Sequence, residues 1–111
     1  MISIADFSSK LNLELLSATT RTEIDITVTD INRPGMQFCG FYEYFAHERL
    51  QVIGKVEMTY LESLETKMRR AVLEKYMSYP IPCIVVCWGM NPPRDLLEVA
   101  RMHDIPVFQS K

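Results

Sequence analysis

The chain is short of most of the residues that mark specialised chemistry. It has 111 residues, with only three cysteines, four glycines, two histidines and one tryptophan. The odd cysteine number argues against a disulfide framework. Cys83 and Cys87 would lie about 13 Å apart on an extended strand at ~3.3 Å per residue, beyond disulfide reach. Reduced, buried thiols are the expectation. Neither His47 nor His103 falls at a zinc-finger or HExxH spacing, so no metal site is expected. The four glycines, at positions 35, 40, 54 and 89, cannot make a GxGxxG turn. Gly54-Lys55 is not a phosphate-binding loop, because Arg49 stands where the earlier glycine is required and Val56 where the Ser or Thr is required. No serine sits in a GxSxG elbow. With 12 basic against 14 acidic residues the net charge is −2, and the one dense basic cluster is Lys67, Arg69 and Arg70. Nucleic acid is therefore not an expected partner. The longest apolar stretch, Cys83 to Trp88, is far too short to span a bilayer, so no membrane role is expected. The first residues lack the basic segment and apolar core of a signal peptide, which makes the cytoplasm the expected compartment.

What is present is a balanced composition, 48% hydrophobic and 23% charged. That suits one domain with one core over residues 1–111. Ser3 and Asp6 have capping-box spacing, flanked by Ile2 and Phe7 at the staple positions, so a short helix should start there and stop near Asn12. Its apolar face would be Ile4, Phe7 and Leu11. Leu13 to Leu16 reads as a strand and Ser17 to Thr22 as a loop. Strict alternation from Ile24 to Thr29 predicts a half-buried strand. It leads into Asp30-Ile31-Asn32-Arg33-Pro34-Gly35, where Pro-Gly fits the centre of a type II turn. An aromatic stretch follows, Phe38 to Phe45, and then a strand at Leu50 to Ile53. Val56 to Leu64 suits a short helix. Met68, Val72 and Tyr76 mark a second one, or the continuation of a bent one, with Glu65 and Arg69 spaced for a surface pair. Cys83 to Cys87 is apolar throughout and predicts a strand covered on both faces. Asn91 and Pro92 read as the cap and first position of a helix whose inner face is Leu96, Leu97, Ala100 and His103. Val107-Phe108 is the last strand. Strand, helix, strand at the C-terminus builds a parallel sheet with a covering helix, so the fold class is α/β.

The candidate site combines Asp30, Arg33, Pro34 and Gly35 with the triplet His47, Glu48 and Arg49. An Arg beside a Gly at a strand end can meet an anion, because the guanidinium offers a planar fork and Gly allows close backbone approach. The same residues suit a structural salt bridge or a solvated face. The aromatic run suits core packing, with Tyr42 and Tyr44 able to present a wet side.

These stretches also carry a resemblance. Val28-Thr29-Asp30-Ile31-Asn32-Arg33-Pro34-Gly35, Cys39-Gly40-Phe41-Tyr42-Glu43-Tyr44-Phe45 and Glu48-Arg49-Leu50-Gln51-Val52-Ile53-Gly54-Lys55 resemble the N-terminal domain of bacterial HPr kinase/phosphorylase. The likeness continues through Tyr60-Leu61, Pro82 to Val86, Pro92-Pro93 with Leu96-Leu97, and Ile105-Pro106-Val107. It implies a three-layer α/β domain, with a mixed or mostly parallel sheet and helices on both faces, similar to the UDP-sugar-binding N-terminal domain of the Mur ligases. In that family a separate C-terminal domain carries the P-loop. It phosphorylates and dephosphorylates a serine of the phosphocarrier HPr, with ATP or pyrophosphate and Mg, in carbon catabolite repression. No catalytic residue carries over, so the chain itself is expected to be a non-enzymatic regulatory or accessory domain without a cofactor, as a fragment or a stand-alone relative. Its partners would be its own kinase domain, other subunits and, through the parent enzyme, HPr. Two other readings stay open: a sensor binding a phosphorylated sugar or nucleotide at the Arg33 turn, and a structural interaction module.

Overall fold

A computed structural model describes residues 1–17, 19–26 and 30–111. Ser3 accepts a hydrogen bond from the Asp6 amide at 3.1 Å, which starts α1 (Ile4–Leu11), and Ile2 packs with Phe7 across the cap. Asn12 ends the helix in the left-handed region, at φ 53°, a conformation that asparagine tolerates better than most residues. Only Phe7 of the expected apolar face is fully buried, and Leu11 is exposed.

Around it the chain forms β1 (Ile2–Ser3), β2 (Leu13–Leu15), β3 (Glu23–Ile24) and β4 (Ile31–Asn32). The alternating segment from Ile24 is strand only at its start, where β3 pairs antiparallel with β1. Its part at 27–29 lies outside the described residues. Pro34 and Gly35 do not form a type II turn. Gly35 is not among the positive-φ residues, and Pro34 instead caps the short helix α2 (Gly35–Phe38), its carbonyl accepting from the Phe38 amide at 2.9 Å. Proline's fixed φ suits a helix start as well as a turn, and burial of Phe38 selects the helix.

Next come β5 (Leu50–Ile53), α3 (Lys55–Ser63), α4 (Thr66–Met77), β6 (Ile84–Val86), α5 (Arg94–Met102) and β7 (Val107–Ser110). α3 and α4 are two helices, separated by Leu64 and Glu65, whose backbones are extended. The sheet order is β2-β7-β6-β5-β4, parallel from β4 through β7 with β2 antiparallel at the edge. The α/β class and the mixed, mostly parallel sheet are therefore as expected. Ile84 and Val86 point into a cluster with α3, α4 and α5, while Cys83 and Val85 point into a second cluster with Phe7 and Ile24. This alternation accounts for the unbroken apolar run of β6: both faces are covered. Each such buried side chain contributes roughly 1.5–3 kcal/mol. The thiol of Cys83 lies inside the smaller cluster, where burial pushes it up to about 12; all three cysteines are free, but the expectation of buried thiols holds for Cys83 alone, since Cys39 is exposed and Cys87 half-buried.

Two helix expectations change. α5 begins at Arg94 after Pro93, not at Pro92, since a residue before proline is held out of the helical region. Asn91 serves instead as an acceptor for Gln109 Nε2 at 3.2 Å. On α4 the inward residues are Leu73, Tyr76 and Met77, and Met68 is exposed. Arg69 turns away from Glu65 to bind Asp95 on α5 at 2.7 Å, because a carboxylate buried between packed helices requires a charge partner. His103 closes α5 as a half-buried cap paired with Glu74 at 3.0 Å. Most of the aromatic run is core: Phe38 and Phe45 are buried, and Tyr42 stacks on Tyr79 at 5.1 Å beneath the Lys75 ammonium. Burial there raises the Tyr42 hydroxyl to about 12.

Candidate functional site

Because β4, β5 and β6 run parallel, the residues that follow them emerge along one edge of the sheet. Ligands of open α/β sheets bind outside these carboxyl ends. Here Arg33 leaves β4, Gly54-Lys55 leave β5, and Cys87-Trp88 leave β6. They surround a hollow of about 300 Å³ floored by Ile31 and Val52. Glu57, on the first turn of α3, ties the edge together. Its buried carboxylate accepts from the Gly54 amide at 2.6 Å and from Arg33 Nη2 at 2.8 Å. That hydrogen bond and the carboxylate's charge hold the Arg33 guanidinium above its ordinary value. Gly54 is required for this closeness, since a Cβ there would lie 2.5 Å from Arg33 Nη2. Trp88 and Gly89 both have positive φ, 61° and 64°, and the Met90 amide bonds back to the Cys87 carbonyl at 3.2 Å. This is a type I′ turn, and it presents Trp88 to solvent.

A second, larger hollow of about 440 Å³ adjoins the first at Val56. It is lined by Met36, Cys39, Phe41 and Tyr60 beside Gly35 and Glu57. The Arg33–Glu57 pair stands between the two, Arg33 in one and Glu57 in the other. The nearby Cys39 thiol raises the Tyr60 hydroxyl above its ordinary value.

The triplet His47-Glu48-Arg49 lies elsewhere. It precedes β5, whereas the Arg33 guanidinium reaches Gly54 beyond the other end of that strand, five residues past Arg49 and so roughly 16 Å along it at ~3.3 Å per residue. Glu48 is exposed, and His47 packs its ring against Phe45 and Tyr79. His47 and Glu48 border a cleft of about 280 Å³ with Arg21 and Pro80. His47 Nδ1 and Arg49 Nε are buried without a hydrogen-bond partner among the described residues. Thus Arg33 and Gly35 meet Glu57 with Pro34 starting α2 between them, while His47, Glu48 and Arg49 occupy the opposite end of the sheet. Asp30 is exposed before β4. Sequence reading missed Trp88, Val56 and Met36 as surface features. The signal for Val56 was its place in the first turn of a helix whose inward residues begin at Glu57 and Met58.

Among the described residues no three His, Cys, Asp or Glu side chains come together as metal ligands, and no helix is long and apolar enough to cross a membrane. The geometry is that of an α/β domain whose strand-end edge presents apolar hollows and two cations. Comparison with known proteins makes the assignment specific. The profile of the family described as HPr Serine kinase N terminus matches residues 2–111, and the chain belongs to that family. It is 41% identical over 110 residues to the HPr kinase/phosphorylase of Caldanaerobacter subterraneus subsp. tengcongensis, covering 99% of this chain and 36% of that protein. With that of Alkaliphilus metalliredigens it shares 44% over 109 residues, 98% of this chain and 35% of the relative. With that of Clostridium acetobutylicum it shares 39% over 110 residues, 99% and 36%. The chain therefore spans about a third of the length of these relatives. A solved structure of the CBS and DRTGG domains of the regulatory region of Clostridium perfringens pyrophosphatase, complexed with its activator diadenosine tetraphosphate, superposes with a TM-score of 0.63. It is 14% identical and covers 97% of this chain and 40% of that one, a likeness of fold alone.

Proposed function

We propose that this chain is the regulatory or accessory domain of a cytoplasmic HPr kinase/phosphorylase and itself supplies no catalytic group. A C-terminal kinase domain carries out phosphorylation and dephosphorylation of the HPr serine, with ATP or pyrophosphate and Mg, and the present domain acts on it through contact. The observation that supports this reading is the match of the whole chain to proteins named HPr kinase/phosphorylase that are about three times longer. A surface-exposed strand-end edge built for binding fits the same role. The test uses the full-length protein and a version lacking residues 1–111. The full-length protein should phosphorylate purified HPr, and the truncated one should retain phosphate transfer while losing its normal response to substrate and product concentrations. Phosphorylation of HPr by the 111-residue chain alone, or no transfer by the full-length protein, would overturn the proposal.

A further inference from the structure

We infer that the paired hollows around Val56 are the seat of the remainder of the enzyme's own polypeptide. This rests on the reading just given and names the contact surface through which it works. Eleven large apolar side chains are exposed among the described residues. Five of them, Ile31, Met36, Phe41, Val56 and Trp88, line these two adjoining hollows. Others, such as Met68 on α4 and Met102 on α5, line neither. Trp88 is 80% exposed and Val56 73%, and the five together present on the order of 500 Å² of apolar surface, within the range at which the largest patch of a monomer is often functional.

The size of the patch favours one occupant. A stable separate partner needs about 800 Å² per side, whereas a tethered segment acts at an effective concentration in the millimolar range and holds with less. In the relatives roughly two-thirds of the polypeptide lies outside the matched part. Charge adds a constraint on the docking surface. Lys55 is exposed and makes no ion pair among the described residues, and Arg33 keeps its Nε and Nη1 donors free of recorded partners there. The occupant accordingly inserts apolar side chains between Met36 and Phe41 and sets a carboxylate against Arg33 and Lys55.

Native thiols report on both hollows. Cys39 lines the larger and Cys87 the smaller, while buried Cys83 serves as an unreactive internal control. The 111 residues enclose both hydrophobic clusters by themselves, so the short chain can be compared with the full-length protein. N-ethylmaleimide labelling followed by peptide mass analysis should be at least tenfold slower at Cys39 and Cys87 in the full-length protein. Val56→Asp in the full-length protein should restore the fast rate. That variant is compatible with folding, since the site is exposed and an acidic residue suits the first turn of a helix. Met68→Asp should leave the protection intact. Equal rates in the two proteins would overturn the inference. So would protection of the short chain that grows with its own concentration, which would make a second copy the occupant, or protection that appears only with added inorganic phosphate. A full-length protein that phosphorylates HPr but shows no protection would sink this surface and leave the proposed function standing. Protection in a protein inactive towards HPr would do the reverse.

Discussion

Replacing Glu57 tests how the strand-end edge is held. Gly54 caps α3 without a side chain, so the acceptor for its buried amide is the Glu57 carboxylate, 2.6 Å away. Glu57→Ala removes that acceptor, and a buried donor left unpaired costs about 1–3 kcal/mol. The Arg33 bond is lost too. Because the Arg33 side chain is 51% exposed against 6% for Glu57, solvent screens the pair and its share is about 0.5–1 kcal/mol. The sum, about 1.5–4 kcal/mol, should lower Tm on the order of 10 °C for a domain of this size. Glu57→Gln keeps an oxygen for the Gly54 amide and loses only the charge, so its cost should be about 1 kcal/mol. Gly54→Ala should resemble Arg33→Met, since the new Cβ displaces Arg33 Nη2 and the guanidinium can swing into solvent. Once Arg33 is gone, Gly54→Ala should add little, a non-additivity diagnostic of a shared contact. Urea melts of the set, read by circular dichroism, decide the matter. Equal losses for Glu57→Gln and Glu57→Ala would show that charge, not the amide acceptor, holds the edge, and refute the reasoning.

Three further outcomes are expected. Gln51, fully buried on β5, accepts from Tyr76 Oη and Asn32 Nδ2, each at 2.8 Å, and donates to the Ala46 and Arg49 carbonyls; Tyr76→Phe should cost about 1 kcal/mol and Gln51→Leu about 2–4 kcal/mol by denaturant titration, and equal costs would contradict the network. Arg69 binds Asp95 and reaches the Leu61 and Leu64 carbonyls, so Arg69→Met, which strands a buried carboxylate, should destabilise by about 3–5 kcal/mol; a neutral result in the same titration would show that the pair adds nothing. Asp104 accepts from the Thr19 hydroxyl and from the Thr20 amide and hydroxyl, and these bonds lower its carboxyl from 3.8 to about 2. A depressed folded value means the contribution is complete above pH 3.8 and fades as pH falls towards 2. The Tm gap between the wild type and Asp104→Asn should therefore shrink between pH 5 and pH 2, and a constant gap would count against the bonding.

Local signals were enough where structure is local. The Ser3 cap, the Asn12 stop and the β5 and β6 strands follow from capping chemistry and apolar periodicity, which act within a few residues, whereas the pattern from Val56 to Tyr76 suited two helices or one bent helix alike until the extended backbone at Leu64 and Glu65 divided it. The family was likewise legible, because ordered motifs from Asp30 to Val107 survive as sequence. Choices between local alternatives were not. Pro34-Gly35 suits a turn or a helix start, and burial of Phe38 beside Tyr76 decided for the helix. Arg69 could face Glu65 or Asp95, and packing of α4 on α5 chose Asp95. The candidate residues show the same division. Sequence order set Arg33 and His47 within one stretch, but a parallel strand carried them to opposite ends of the sheet. The hollows arise from residues as distant as Met36, Val56 and Trp88, brought to one edge by strand order. Composition and periodicity thus determined an α/β domain and most, not all, of its helices and strands. Only tertiary packing, by burying some faces and leaving that edge uncovered, decided where the domain can bind.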